Sequence, residues 1–334
     1  MARTNILICG NYGAGNFGDE LILKGLLKVV RELPNIHVTV MSGNPSQTHE
    51  MHMVDTCPFV PSSFLSWGKN ILNGNMISMM KAVMRSDLML LGGGGLFNEK
   101  EERSISIWWS QVQFFRFLRK KIIMVGQSFG NITKERNKKN IKKVCRAMEK
   151  ICVRDTQSKH NLEQLGVTNR IYVIKDCALW LTPNDFKPSD LELPPQPYTI
   201  LSLRSWPGID LSEVEKVLYK KCEQQNIVHV PMLIGEPKNV KNLHDLWALF
   251  QHAEGVIAMR LHAAVLAHIA HKPLTILSYD DKVENLMGDL GYRSNMTRIS
   301  SFTQLPESSQ ISPVSTKADQ DLFRKILTKN IKTI

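Results

Sequence analysis

The chain has 334 residues, 43% of them hydrophobic, enough to bury a sizeable core and to form two domains. Its 42 Lys and Arg against 31 Asp and Glu leave a net charge of +11, which favours an anionic partner such as a membrane face, nucleic acid or a phosphorylated substrate. The six cysteines, at 9, 57, 145, 152, 177 and 222, fall mostly in apolar segments without a C-x-x-C pair, so reduced thiols in a cytosolic protein are expected and structural zinc is not.

The first residues, MARTNILICG, pass straight into a predicted strand at 5–9, so no leader is expected ahead of the fold, and no apolar run reaches the length that spans a bilayer. The glycine-rich turn GNYGAGNFGDE follows at 10–20, and within it GAGNFG satisfies G-x-G-x-x-G. A dinucleotide site is disfavoured on two grounds. Three residues separate the strand from Gly13, and the next strand, NIHVTVM, ends in Ser42-Gly43-Asn44 with no acid for a ribose hydroxyl. The turn is better read as a loop that must come close to a ligand, with Tyr12 offering a ring to a sugar, and Asn16, Asp19 and Glu20 beside it. Helix capping competes for Asp19 and Glu20, and packing of Tyr12 on Phe17 competes for the ring.

Further strands are predicted near 36–41, 87–91, 122–126, 151–154 and 171–174, with helical periods between most of them. The strand DLMLL ends in four glycines, 92–95, and Gly93 and Gly94 suggest backbone brought close to a ligand. The stretch KERNKKNIKKVCRAMEK, 134–150, places Ile141, Val144, Cys145 and Met148 at helical spacing, predicting an amphipathic helix with its lysines outward. It reads as a solvated face or as a surface attracted to anionic lipid. Nucleic acid fits less well, because no aromatic residues interleave the charges.

Residues 182–197 hold five prolines in sixteen and read as a linker. The predicted domains are therefore 1–182 and 198–334, joined by 183–197, with a C-terminal helix near 317–330 that packs back. Strands near 198–203, 227–231, 255–258 and 273–277 alternate with helices around 210–224, 239–250 and 261–270. Such alternation predicts an α/β protein of two Rossmann-like domains facing each other across a cleft, with ligands at the carboxyl ends of the strands. The residues after those ends are mostly cations: Arg154, then Arg204, then Arg260 with His262, then Lys282. Together they would suit a small, highly charged anion, although a strand-end arginine is also the stuff of ordinary ion pairs, as Arg154 with Asp155.

Taken in order, GNYGAGNFGDE, DLMLLGGGGLF, VRDTQSKHNLEQLG, KDCALWL, SLRSW, MRLHAAVLAHIAHKP and YDDKVENLMGDLG resemble the polysaccharide pyruvyl transferase family over about residues 5–291. The resemblance implies a GT-B-like fold, phosphoenolpyruvate as donor and co-substrate with no other cofactor or metal, and a sugar diol, lipid-linked or not, as acceptor. It implies donor roles for Arg154, His262 and Lys282, to which Arg204 and Arg260 are added by location, with His262 as the general acid. Two departures concern the acceptor: Ala14 stands where members carry an aromatic residue, and GQSFGNI lacks the usual G-P ending. The expected setting is cytoplasmic, at the inner face of the membrane. The competing readings are a nucleotide-sugar glycosyltransferase of the same architecture and a non-catalytic protein that binds anions or carbohydrate.

Overall fold

The structure is a computed structural model and describes residues 3–61, 75–99, 104–206, 208–221, 226–299, 308–312 and 314–333. Cys222 and the end of the helix predicted to 224 lie outside the described residues. The chain divides into two compact units, one of residues 1–14, 22–180 and 316–334 and the other of residues 15–21 and 181–315.

The first unit holds a seven-stranded sheet of order β3-β2-β1-β4-β5-β6-β7. Its strands are β1 (Thr4–Cys9), β2 (Ile36–Ser42), β3 (Asp55–Pro58), β4 (Leu88–Leu91), β5 (Lys121–Gln127), β6 (Lys150–Val153) and β7 (Ile171–Val173). Every pairing is parallel. Such a sheet is covered on both faces, which is why β4 and residues 6–9 of β1 read as unbroken apolar runs. Helix α1 (Phe17–Arg31) shows the local logic: Asp19 and Glu20 open it, Lys28 and Arg31 close it, and both ends suit the macrodipole. Its Leu21, Ile22, Leu26, Val29 and Val30 are buried.

Helices α2 (Pro45–His52), α3 (Asn75–Arg85), α4 (Ser104–Phe117), α5 (Glu135–Arg146) and α6 (Thr156–Gln164) follow the successive strands of this unit. The predicted apolar stripe of α5 is buried at Ile141, Val144, Cys145 and Met148. The C-terminal helix (Lys317–Ile331) belongs to the first unit, where Phe323 lies 5.5 Å, ring to ring, from Trp180, and Lys175 pairs with Asp319 at 3.4 Å.

The second unit is a five-stranded parallel sheet of order β12-β11-β10-β8-β9. Its strands are β8 (Tyr198–Ser202), β9 (Asn226–His229), β10 (Gly255–Ala258), β11 (Leu274–Ser278) and β12 (Met296–Arg298). The helices between them are α7 (Leu211–Lys221), α8 (Leu243–His252), α9 (Leu261–Ile269) and α10 (Asp281–Asp289). With these named, the C-terminal helix is α11. The segment read as a linker has fixed contacts within this unit, since Phe186 stacks on Trp247 at 4.5 Å and Ser189 donates to Asp245 at 2.6 Å. Strands β3 and β12 were not predicted; DTCP and MTR are short edge strands with no apolar pattern of their own.

The N-cap residue of helix α5 is Lys134, whose side chain does not cap it. Glu99 does so from a distant turn, accepting from the Thr133 and Lys134 amides at 2.8 and 2.9 Å, the Thr133 hydroxyl at 2.6 Å and the Asn137 amide at 2.8 Å. Partial burial pushes this carboxyl up, but the four hydrogen bonds outweigh it and hold Glu99 down at about 2. Its contribution is thus present above the ordinary value of 4.5 and is lost as pH falls through 2. We expect Glu99→Ala to cost about 1 kcal/mol in urea unfolding at neutral pH, as for other lost helix caps. The difference from wild type should shrink as pH falls from 4.5 toward 2.

Candidate functional site

In the second sheet, β8 is flanked by β9 on one side and β10 on the other, so the order of connection reverses between β8 and β10. A crevice at the carboxyl ends of those two strands is where open parallel sheets bind ligands, because the chain leaves them in opposite directions. Arg204 follows β8, and Arg260 and His262 follow β10. The two strand ends are tied directly: the Met259 and Arg260 amides both donate to the Ser202 carbonyl, at 2.9 and 3.3 Å, and the Arg204 amide donates to Met259 Sδ at 3.4 Å.

Arg260 is the N-cap residue of α9 without using its side chain as a cap, so the guanidinium and the first amides of the helix issue from one point. Its Nε is buried and has no hydrogen-bond partner among the described residues. Burial, followed by the like charge of Arg204, lowers the Arg260 guanidinium below its ordinary value, while Tyr279, Asp19 and Glu236 favour its charge. Two guanidinium groups that act on each other, one of them with an unpartnered buried donor, make this crevice a candidate for an anion.

Tyr279, on the turn after β11, organises the neighbours. Its hydroxyl accepts from the Arg204 guanidinium at 3.5 Å, its ring lies 4.6 Å from that of Trp206, and Lys282 Nζ sits 5.9 Å from its ring centre. Arg204 also lies over Trp206 at 5.3 Å. Sequence reading named Arg204 and Lys282 but missed Tyr279 and Glu236. The signal for Tyr279 was present, since it stands between the strand and the Lys282 already chosen; nothing local marks Glu236.

The opening turn is divided between the units. From Gly15 on it belongs with the second unit, where it pairs with the chain that follows β9: the Phe17 amide donates to the Met232 carbonyl at 3.0 Å and the Ile234 amide to the Gly15 carbonyl at 2.9 Å. The Asn16 side chain accepts from the Gly18 amide at 3.0 Å and donates to Asp19 at 3.0 Å. Gly18 is there for His262: a Cβ on it would lie 2.4 Å from the imidazole Nδ1. Asp19 is part-exposed and acts on Arg260, whereas Glu20 is 1% exposed in the first turn of α1.

Arg154, Tyr12, Gly93 and Gly94 lie in the first unit. Arg154 is buried and bonds Asp176 at 2.9 Å, with Asp155 3.8 Å away, so its charge is matched within the core. Tyr12 does not offer its ring to a sugar, because the residue is 1% exposed; a Cβ on Gly10 would meet the ring at 2.7 Å and one on Gly92 the hydroxyl at 2.1 Å. Gly94 continues the pairing of β4 with β5, donating to the Gly126 carbonyl and accepting from the Ser128 amide, and Gly93 makes room for Ile22. The five described cysteines are buried, and burial pushes Cys57, Cys145 and Cys152 up to about 12.

Among solved structures, the chain is similar to the UDP-GlcNAc 2-epimerase of Methanocaldococcus jannaschii in complex with UDP-GlcNAc and UDP, at 11% identity and a TM-score of 0.60, over 98% of this chain and 100% of that one. The UDP-GlcNAc 2-epimerase of Neisseria meningitidis bound to UDP-GlcNAc is similar at 11% identity and a TM-score of 0.56, again over 98% and 100%. At such identities the likeness concerns the fold, which is GT-B-like. No curated protein matches the chain by sequence. The family model for polysaccharide pyruvyl transferase matches residues 16–281, from Asn16 beside the paired loop to Asp281 beside Lys282. That match takes in most of the chain and both arginines of the crevice, and the chain belongs to the polysaccharide pyruvyl transferase family.

Proposed function

We propose that the protein transfers a pyruvyl group from phosphoenolpyruvate to two hydroxyls of a sugar, forming a ketal and releasing phosphate. The observation that carries the reading is the pair Arg204 and Arg260 at the strand-order reversal, with a buried, unsatisfied Nε on Arg260 and His262 two residues further on. A carboxylate and a phosphate on one three-carbon molecule suit two guanidinium groups, a lysine and a helix N-terminus.

In the proposed reaction His262 donates a proton to C3 of the enol, making the methyl group, and positive charge develops at C2. The oxygen of the first sugar hydroxyl forms a bond to C2 and its proton returns to the imidazole. The bond from C2 to the bridging oxygen then breaks, and phosphate leaves with the electron pair under the field of Arg204, Arg260 and Lys282. The second hydroxyl adds at C2, losing its proton to the departing phosphate or to a carboxylate. Asp19, fixed by the Asn16 amide, is the carboxylate proposed to orient the acceptor. No cofactor enters this scheme. The acceptor is proposed as a cell-surface polysaccharide or its lipid-linked precursor, and the setting as cytoplasmic. Release of phosphate, rather than of a nucleoside diphosphate, when the protein is incubated with phosphoenolpyruvate and a panel of sugar acceptors tests the reading.

His262→Ala should lower kcat by roughly 10² to 10⁴-fold with donor affinity nearly unchanged, the range for loss of a general acid. Arg260→Lys should weaken donor binding measured by calorimetry, since a point charge cannot replace a planar fork; unchanged binding would remove Arg260 from the anion site. Gly18→Ala separates fold from function. A Cβ there would also lie 2.9 Å from the imidazole Cγ, so the ring must move and kcat should fall by at least roughly tenfold, while circular dichroism should stay that of the wild type.

A further inference from the structure

Three consecutive helices of the first unit, α3, α4 and α5, pack their inner sides into one core. Met79 and Val83 come from α3, Trp108 and Val112 from α4, and Ile141 and Val144 from α5, all against the same side of the sheet. Their outer sides therefore form one layer, and its composition is unusual in two independent ways.

The first is charge. The three helices carry nine Lys and Arg and a single acidic residue, Glu135, and α3 and α4 carry no acid at all. Lys81 and Arg85 face outward from α3, Arg116 from α4, and Arg136, Lys139, Lys143 and Arg146 from α5. The second is apolar exposure. Of the six most exposed large hydrophobic side chains among the described residues, four stand on this layer: Ile77 at 74%, Met84 at 57%, Ile107 at 40% and Phe117 at 82%. Single exposed apolar residues need no explanation, but this set shares one layer with the densest cations of the chain.

We propose that the α3–α4–α5 layer docks on an anionic phospholipid bilayer, lying on the headgroups without crossing them. The cations match the negative surface, each worth roughly fivefold in partition. The protruding Phe117, Ile77 and Met84 reach the acyl boundary, the division of labour seen in interfacial helices. No helix among the described residues is long and apolar enough to cross a membrane. Nucleic acid would match the cations but would leave the aliphatic side chains unexplained, and an acidic protein would be expected to meet a flatter apolar patch.

The test is flotation of the full chain with vesicles of phosphatidylcholine alone and of phosphatidylcholine with phosphatidylglycerol, without any substrate, so that the outcome stands apart from the proposed reaction. Binding is expected to the anionic vesicles only and to weaken with salt. The double variant Lys139→Glu/Lys143→Glu should bind them at least roughly tenfold more weakly. Phe117→Ser, at a position 82% exposed and so harmless to folding, should also weaken binding but leave the salt dependence in place. Circular dichroism serves as the control for the fold. Equal binding to both vesicle types, binding to neither, or wild-type binding by the lysine variant would overturn the proposal. So would retention of a mixed-sequence nucleic acid in place of vesicles, or a change of oligomeric state in Phe117→Ser with vesicle binding intact, which would make the layer a contact between copies.

Discussion

The reversal of strand order in the second sheet is the constraint on which the site rests. A crossover from one parallel strand to the next keeps a single hand, so a sheet can grow on both sides of its first strand only if the chain leaves neighbouring strands in opposite directions. Between β8 and β10 it does so. The ends of those two strands are then left without a helix across them, and whatever side chains follow them share a small space. In this chain the followers are Arg204 and Arg260, and the hydrogen bonds from residues 259 and 260 to Ser202 lock the spacing. Two like charges do not gather by themselves; the backbone holds them there.

Electrostatics then separates two differently placed cations of the chain. Arg154 lies in the core with Asp176 and Asp155 against it, and removing the arginine would leave both buried carboxylates unmatched at a cost of roughly 3–5 kcal/mol. Arg260 is set differently. The largest charge effect on it is repulsion by Arg204, and its Nε has no hydrogen-bond partner among the described residues. Arg154 Nε is also buried without a hydrogen-bond partner among those residues, but two carboxylates face that guanidinium, whereas Arg260 meets mainly a like charge, an imbalance of the kind binding sites show.

Much of the architecture was legible in the residues because it is local. The apolar runs of β1, β4, β5 and β10 and the stripe of α5 all declare their elements within a few positions. The arginines could be found because topology alone places them, Arg154, Arg204 and Arg260 each being the first charged residue after a strand, with Lys282 a few positions past the end of β11. What could not be read depends on distant partners. The pairing of residues 15–17 with 232–234 joins segments more than two hundred residues apart, and it decides that the turn from Gly15 on serves the second unit. Tyr12 was misjudged for the same reason: its ring is covered by its own unit, with Gly10 and Gly92 left bare to admit it.

The same distant pairing explains why a dinucleotide-like pattern appears where the spacing argues against a dinucleotide. Gly13, at φ +69°, turns the chain where a Cβ would strike Ser42 Oγ at 2.1 Å, and Gly15 adopts φ +77° to enter the bridge with residues 232–234. The third glycine, Gly18, in the dinucleotide fold, lets a helix lie close to its strand; here it lets a helix lie close to a histidine from a segment far along the chain. Gly13 and Gly18 are required by close contacts and Gly15 by its backbone conformation, φ +77°. A short pattern of small residues records that backbone must approach something closely. Only the three-dimensional partner says what, and for Gly18 the partner is the imidazole on which the proposed chemistry turns.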